Sequence, residues 1–139
     1  MRIPHYLIIL VSAPFLFSFS FKENPEEKLS QRMQFLTNKT WKVYEVNVAT
    51  FIYTDSISTG IEYKFSASGD CFISTPDGSG DNVLWTFDAS QENIIFNEGT
   101  PDETIYKIVL LSDVNFSYKV IYEINGQNME YTYKLKNKF

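Results

Sequence analysis

The sequence predicts an all-β fold, an eight-stranded antiparallel up-and-down barrel preceded by one short helix. Three observations lead there: a C-terminal hairpin whose register is self-consistent, a series of short alternating segments separated by turn residues, and a composition rich in aromatic residues. The hairpin is the strongest of the three. Asn125-Gly126 is a two-residue turn signal, and placing it at the turn pairs Tyr122 with Met129, Val120 with Tyr131, Tyr118 with Tyr133 and Phe116 with Leu135. All of these point to one side. The other side carries Glu123 with Asn128, Ile121 with Glu130, Lys119 with Thr132 and Ser117 with Lys134, nearly all polar. A one-residue slip would move every apolar partner to the wrong face, so turn chemistry and face pattern specify the same register.

A second hairpin is expected at Ser66-Ala67-Ser68-Gly69, a three-residue loop whose glycine takes the left-handed conformation. It pairs Phe65 with Cys71 and Tyr63 with Ile73 and so buries Cys71, which reads as a small inert core residue rather than a reactive thiol. Further strands are expected at Thr40 to Val48, Val83 to Asp88, Asn93 to Asn97 and Thr104 to Leu111, with loops at Ala49 to Gly60, Pro76 to Asn82, Ala89 to Glu92 and Glu98 to Glu103. Sequential hairpins make a meander, and an eight-stranded meander with one apolar face removes its edges by closing into a barrel. A sandwich is the alternative architecture.

Before the barrel, residues 1–20 read as a secretory signal: Met1, Arg2 and His5 are followed by an apolar run from Tyr6 to Phe19 without an acidic residue. The run contains Pro14 and is shorter than the roughly 20 residues of a spanning helix, so cleavage, placed before Phe21 by Ser18 and Ser20, is expected over a retained anchor. Residues 21–38 form an N-terminal helical segment. From Asn24 to Asn38, Pro25, Glu26 and Glu27 suit a helix start, and Leu29, Met33 and Leu36 share a stripe. Such a helix either covers an end of the barrel or binds a partner. Residues 39–139 are the barrel domain, and the expected location is exported, periplasmic or secreted.

Charge and rare residues narrow the function. The formal charge of -5 makes nucleic acid and anionic lipid surfaces poor partners. The single histidine, His5, lies in the segment expected to be removed, and Cys71 is the lone cysteine. Histidine-based triads and bases, histidine-ligated zinc and an intramolecular disulfide are therefore excluded for the remainder, and no cofactor or metal is expected. Packing must supply the stability.

The residues also resemble a family. Phe35-Leu36-Thr37-Asn38-Lys39-Thr40-Trp41-Lys42-Val43 leading into the first strand, Tyr63-Lys64-Phe65-Ser66-Ala67-Ser68-Gly69-Asp70 as a strand and turn, and Trp85-Thr86-Phe87 are similar to the lipocalin-like domains of small exported bacterial proteins. The resemblance covers most of the chain after the signal. It implies a calycin-type barrel, closed at one end by the tryptophan that begins strand one, around a cavity of unassigned occupant. Two departures stand out: family members usually carry glycine where this chain has Asn38, and many begin at a lipidated cysteine that is absent here. Asparagine tolerates left-handed backbone, so the turn survives the first; the second argues against a lipoprotein tether.

The aromatic inner face supplies the candidate binding residues: Trp41, Tyr63, Phe65, Trp85, Phe87, Tyr118, Tyr122, Tyr131 and Tyr133. A phenol hydroxyl buried without a partner costs about 1 to 3 kcal/mol, so some of these hydroxyls are expected to reach a water-filled cavity, the barrel mouth or a bound amphipathic molecule. The alternatives are a packed core with tyrosine tips at the rim and an exposed aromatic groove. Elsewhere, Asp77-Gly78-Ser79-Gly80-Asp81-Asn82 carries oxygen ligands at alternate positions but lacks the closing glutamate of a calcium loop, and reads as a hairpin loop. Glu62, Glu123 and Glu130 fall on outward faces, which favours solvated charge over an acid and base pair, and no phosphate-cradling glycine spacing occurs. The expectation is an exported binding protein, not an enzyme, holding a small apolar or amphipathic molecule; a filled barrel acting as an interaction module of the cell envelope is the alternative. A cavity inside the barrel favours the first, and aromatic filling favours the second.

Overall fold

The structure, a computed structural model, describes residues 30–48 and 59–138 in full and residues 51–53 by their backbone. The expected signal, Pro25, Glu26, Glu27 and Leu29 lie outside the described residues. One helix, α1 (Gln31–Leu36), precedes nine strands: β1 (Thr40–Val48), β2 (Phe51–Tyr53), β3 (Glu62–Phe65), β4 (Asp70–Ser74), β5 (Gly80–Phe87), β6 (Asn93–Phe96), β7 (Thr104–Leu111), β8 (Asn115–Ile124) and β9 (Gln127–Asn137). Each strand pairs antiparallel with the next along the wall, and β1 pairs with β9 to close it.

The barrel has eight staves because β2 and β3 follow one another along the same edge of β1. The near end of β1 pairs Thr40 with Lys64 and Lys42 with Glu62, while its far end pairs Val46 with Tyr53 and Val48 with Phe51. The stretch 49–60, expected to be a loop, thus contains part of the second stave. Its few residues between turns do not announce a strand; the free edge of β1 recruits them. Strand β5 also begins three residues before the expected Val83, because Gly80, Asp81 and Asn82 pair with Ser74, Ile73 and Phe72. Residues with turn propensity are held there by an existing ladder.

Both predicted hairpin registers are observed. Phe116 faces Leu135, Tyr118 faces Tyr133, Val120 faces Tyr131 and Tyr122 faces Met129, while Phe65 faces Cys71 and Tyr63 faces Ile73. Asn125 and Gly126 take φ of 52° and 75°, the paired positive angles of a type I′ turn, and Gly69 closes the other loop at φ 100°. Two bulges lay beyond sequence reading. Val43 pairs with Leu135 but Glu45 with Lys134, which makes Tyr44 an extra residue; Ile108 pairs with Tyr118 but Leu110 with Ser117, which does the same for Val109. Each bulge resets the inward parity, so Val43 and Val46 are both buried.

The helix ends two residues before the expected Asn38. Ser30 caps its start by accepting from the Met33 amide at 3.1 Å. At its other end Thr37 is extended and bridges to Phe65, and Asn38 adopts φ 60°. This turn swings the chain into β1 and brings Trp41 under the helix, where its Nε1 donates to the Leu36 carbonyl at 3.0 Å. Lys39 pairs with Asp113 of the β7 to β8 turn and lies over the Phe35 and Trp41 rings. The helix therefore sits at one end of the barrel, with Leu36 and Trp41 fully buried. Because Asn38 stands where a left-handed residue is required, Asn38→Gly should keep or slightly raise stability while Asn38→Ala lowers it by about 1 kcal/mol, measured by chemical denaturation of both variants.

Candidate functional site

The inner wall carries two aromatic clusters of different chemistry. Beside the helix, Phe65 is the hub: its ring lies 5.2 Å from Trp85, 6.0 Å from Phe96 and 6.2 Å from Phe116. Trp41 meets Phe116 edge-on at 5.7 Å, and Phe87 meets Trp85 at 5.2 Å. The one polar group on each tryptophan is satisfied by backbone, Trp41 by Leu36 and Trp85 by the Ser66 carbonyl at 2.9 Å. This end is packed with rings whose polar groups are satisfied by backbone.

Above it lies a cluster of tyrosines. Tyr118 is sandwiched between Tyr106, stacked at 4.2 Å, and Tyr133, stacked at 4.9 Å. Tyr63 meets Tyr118 edge-on, and the two hydroxyls share a hydrogen bond of 2.8 Å. The hydroxyls of Tyr63 and Tyr122 also act on Tyr106, and that of Tyr122 acts on Tyr133. Burial raises Tyr63, Tyr106, Tyr118 and Tyr133 above the ordinary phenol value, so all four are neutral. Exposure grades toward the β8 to β9 turn, from 1% at Tyr118 through half-buried Tyr106, Tyr133 and Tyr131 to 37% at Tyr122, which faces the barrel axis yet meets solvent. Tyr131 and Tyr122 pack edge-on at 5.2 Å at this mouth.

Sequence reasoning named nine candidate residues, and the structure brings all nine to the inner wall. Trp41, Phe65, Trp85 and Phe87 belong to the packed end, whereas Tyr63, Tyr118, Tyr122, Tyr131 and Tyr133 belong to the tyrosine cluster. The phenols partner one another, which answers much of the hydroxyl problem without a ligand. Tyr106 was missed. Its strand is apolar on both parities, since Ile105, Val109 and Leu110 all face out, and only the pairing of Ile94 with Tyr106 reveals which face turns in.

Charge stays outside. Glu45 pairs with Lys134 at 2.6 Å, Glu62 with Lys138 at 2.8 Å and Glu130 with Lys119 at 2.9 Å, all across outer faces. Asp77 is held by its own turn, accepting from the Thr75 hydroxyl and from the Ser79 amide at 2.8 Å; these bonds lower its pKa to about 2. Among the described residues no group of three metal-ligating side chains converges. Cys71 is buried and desolvation pushes its thiol up to about 12, which makes it a packing residue. Two clefts bounded by described residues open on the outer side of the wall, one of about 850 Å³ beside Lys42, Glu62 and Lys136 and one of about 660 Å³ between Ile105 and Ile121.

A closed eight-stave antiparallel barrel with a helix over the tryptophan end is the lipocalin-like, calycin-type fold. No family model matches the chain, and no curated protein matches it in sequence. Solved structures match it in shape. A bovine odorant-binding protein in complex with its natural ligand aligns at a TM-score of 0.51 and 18% identity, over 81% of this chain and 77% of that one. A complex of bovine odorant-binding protein with a selenium-containing odorant aligns at 0.51 and 17% identity, over 81% and 76%. At these identities the likeness is one of fold.

Two outcomes follow from the tyrosine cluster. Tyr63→Phe leaves the Tyr118 hydroxyl without its bonded partner and should cost about 1 to 3 kcal/mol, whereas adding Tyr118→Phe should cost less than the two single changes summed, as a denaturation cycle would show. The second concerns alkali. In the unfolded chain these phenols ionise near their ordinary value of about 10, while the folded state keeps their protons. Stability is therefore fully present below about pH 10 and is lost as pH climbs above it; an ultraviolet titration should show the four ionising together with unfolding.

Proposed function

We propose that the protein is an exported binding protein that takes a small apolar or amphipathic molecule through the barrel mouth and holds it against the tyrosine cluster. The carrying observation is the gradient along the inner wall, from aromatic rings that reach solvent at Tyr122 and Tyr131 to buried, uncharged rings at Tyr118 and Phe65. Rigid rings give a ligand large contact area at low entropic cost, and a few hydroxyls among them orient it. The bovine structures of the same fold hold a natural ligand and an odorant, which supports a pocket in this barrel. Residues 1–20 support export, since they carry the pattern of a secretory signal.

Binding is favoured over catalysis by the chemistry of the interior. The described carboxylates nearest each wall are on outer faces and salt-bridged to lysines, and the inner hydroxyls are neutral phenols with raised pKa. Among the described residues, the inner tyrosines stay neutral near neutral pH. A second reading, the filled barrel that works as an interaction module, is favoured by one observation: rings pack the barrel beside the helix, while a cleft opens on the outer wall where Ile105 and Ile121 stand 51% and 62% exposed.

Native mass spectrometry of the purified protein, followed by a tryptophan fluorescence titration with a neutral hydrophobic dye, separates the two. The binding reading expects a retained small-molecule mass or a saturable change in emission, with thermal stabilisation of about 2.7 kcal/mol when the dye stands at 100 times its Kd. No retained mass, no emission change and no stabilisation would leave only the interaction module.

A further inference from the structure

We propose that the cleft on the outer side of β1 and β9 binds the phosphate monoester of a small organic molecule, with the phosphate held between Lys42 and Lys136. The site is separate from the barrel interior and goes beyond the binding function proposed above.

A like-charge contact in the wall points to an anion. Lys42 of β1 and Lys136 of β9 are register partners, directly opposite each other in the ladder, and both are exposed. Side chains so placed stand about 5 Å apart at Cβ, where two like charges repel and lower stability. Their other neighbours do not quench them. Lys136 has the uncharged Asn115 beside it on β8, and Lys42 has Glu62 beside it on β3. Glu62, however, is engaged by Lys138 at 2.8 Å, and Glu45, further along β1, is engaged by Lys134 at 2.6 Å. Among the described residues, Lys42 and Lys136 thus face each other without a carboxylate bound to either.

The same two lysines, with Lys138 and Glu62, line one cleft of about 850 Å³. Its described charged residues leave two positive charges over, on a chain whose formal charge is -5. The overall charge turns away extended polyanions, while the local pair, acting within a Debye length, attracts a small one. A phosphate monoester carries about -1.5 to -2 near neutral pH and three strong acceptor oxygens, so a single group answers both ammonium heads, whereas a carboxylate supplies one charge. The organic body has its own surface in the cleft. The bulge between Val43 and Glu45 makes Tyr44 an extra residue, and its ring, 40% exposed, lines the cleft together with Pro76. The Lys136 Nζ lies 4.6 Å from the centre of that ring, which holds the ammonium beside the aromatic surface. A phosphate bound to Lys136 brings its ester group alongside Tyr44.

The test is isothermal titration calorimetry at low salt and about pH 7.5, where a phosphate monoester is close to doubly charged, with phenyl phosphate, inorganic phosphate, benzoate and phenol as probes. Phenyl phosphate should bind at least about tenfold more tightly than inorganic phosphate, benzoate or phenol. Lys42→Gln and Lys136→Gln should each weaken phenyl phosphate by about tenfold or more, the loss of one charge-assisted hydrogen bond, whereas Lys107→Gln, elsewhere on the outer wall, should leave it within about twofold. Without ligand, Lys42→Gln should melt no lower than the wild type, because it removes the like-charge contact. Absence of phenyl phosphate binding, benzoate or inorganic phosphate binding as tightly, or both glutamine variants binding like the wild type overturns the inference. Retention of the protein on phosphatidic acid vesicles without affinity for phenyl phosphate also overturns it, by placing the phosphate on a lipid surface. Uptake of the neutral dye by the barrel is unchanged in all of these outcomes, so failure here leaves the binding function standing.

Discussion

The first strand is hydrogen-bonded along both of its edges, to β9 on one side and to β3 and then β2 on the other, and this double engagement turns a meander into a container. Without it the wall would end in two long edges with Val43, Val46 and Trp41 open to water. With it, both edges of β1 are paired along most of their length and its inward residues Trp41, Val43, Val46 and Val48 are buried. The Tyr44 bulge is part of the same device. By inserting one residue it lets β1 follow the curve of β9 while keeping apolar residues inward before and after the bend.

Closure also decides the chemistry inside. A cylinder this narrow leaves little room beyond its own side chains, and the sequence supplies mostly rings. At the helix end they interlock edge to face around Phe65, with Trp41 and Trp85 tied to backbone carbonyls. Toward the mouth the rings carry hydroxyls, which take one another as partners, so the interior becomes more polar toward solvent without admitting a charge. An unpaired ion there would lose its hydration without compensation, and the acids and bases are accordingly matched across the outer faces. The exterior pairs are mostly exposed and add little stability; their placement matters more than their strength.

The outer wall has its own character. Ile105 and Ile121 stand on the outside of β7 and β8, and the ladder between these strands runs from Lys107 with Lys119 to Leu111 with Phe116. Beyond Lys119 the β8 to β9 hairpin continues to its turn with β9 as its paired neighbour. The hairpin tip thus forms one lip of the barrel end, where Tyr122 on its inner side meets both the Tyr131 ring and solvent.

The residue pattern by itself determined the two hairpin registers, the helix before Trp41, the left-handed position at Asn38 and the aromatic character of the inner face. These are local matters: a two-residue turn or a period of two is settled within a dozen residues of chain. The tertiary structure alone decided the rest. It made a broken stave of 51–53 and 62–65, because the edge of β1 pairs both segments in turn, and it drew Gly80 to Asn82 into β5 against their turn propensity. It turned Tyr106 inward, which an apolar pattern on both faces of β7 concealed. Above all it brought Tyr63, Tyr106, Tyr118, Tyr122 and Tyr133 together from four strands. Sequence shows that such phenols need partners, but only a closed wall, by fixing distances between residues far apart in the chain, makes them partners of one another.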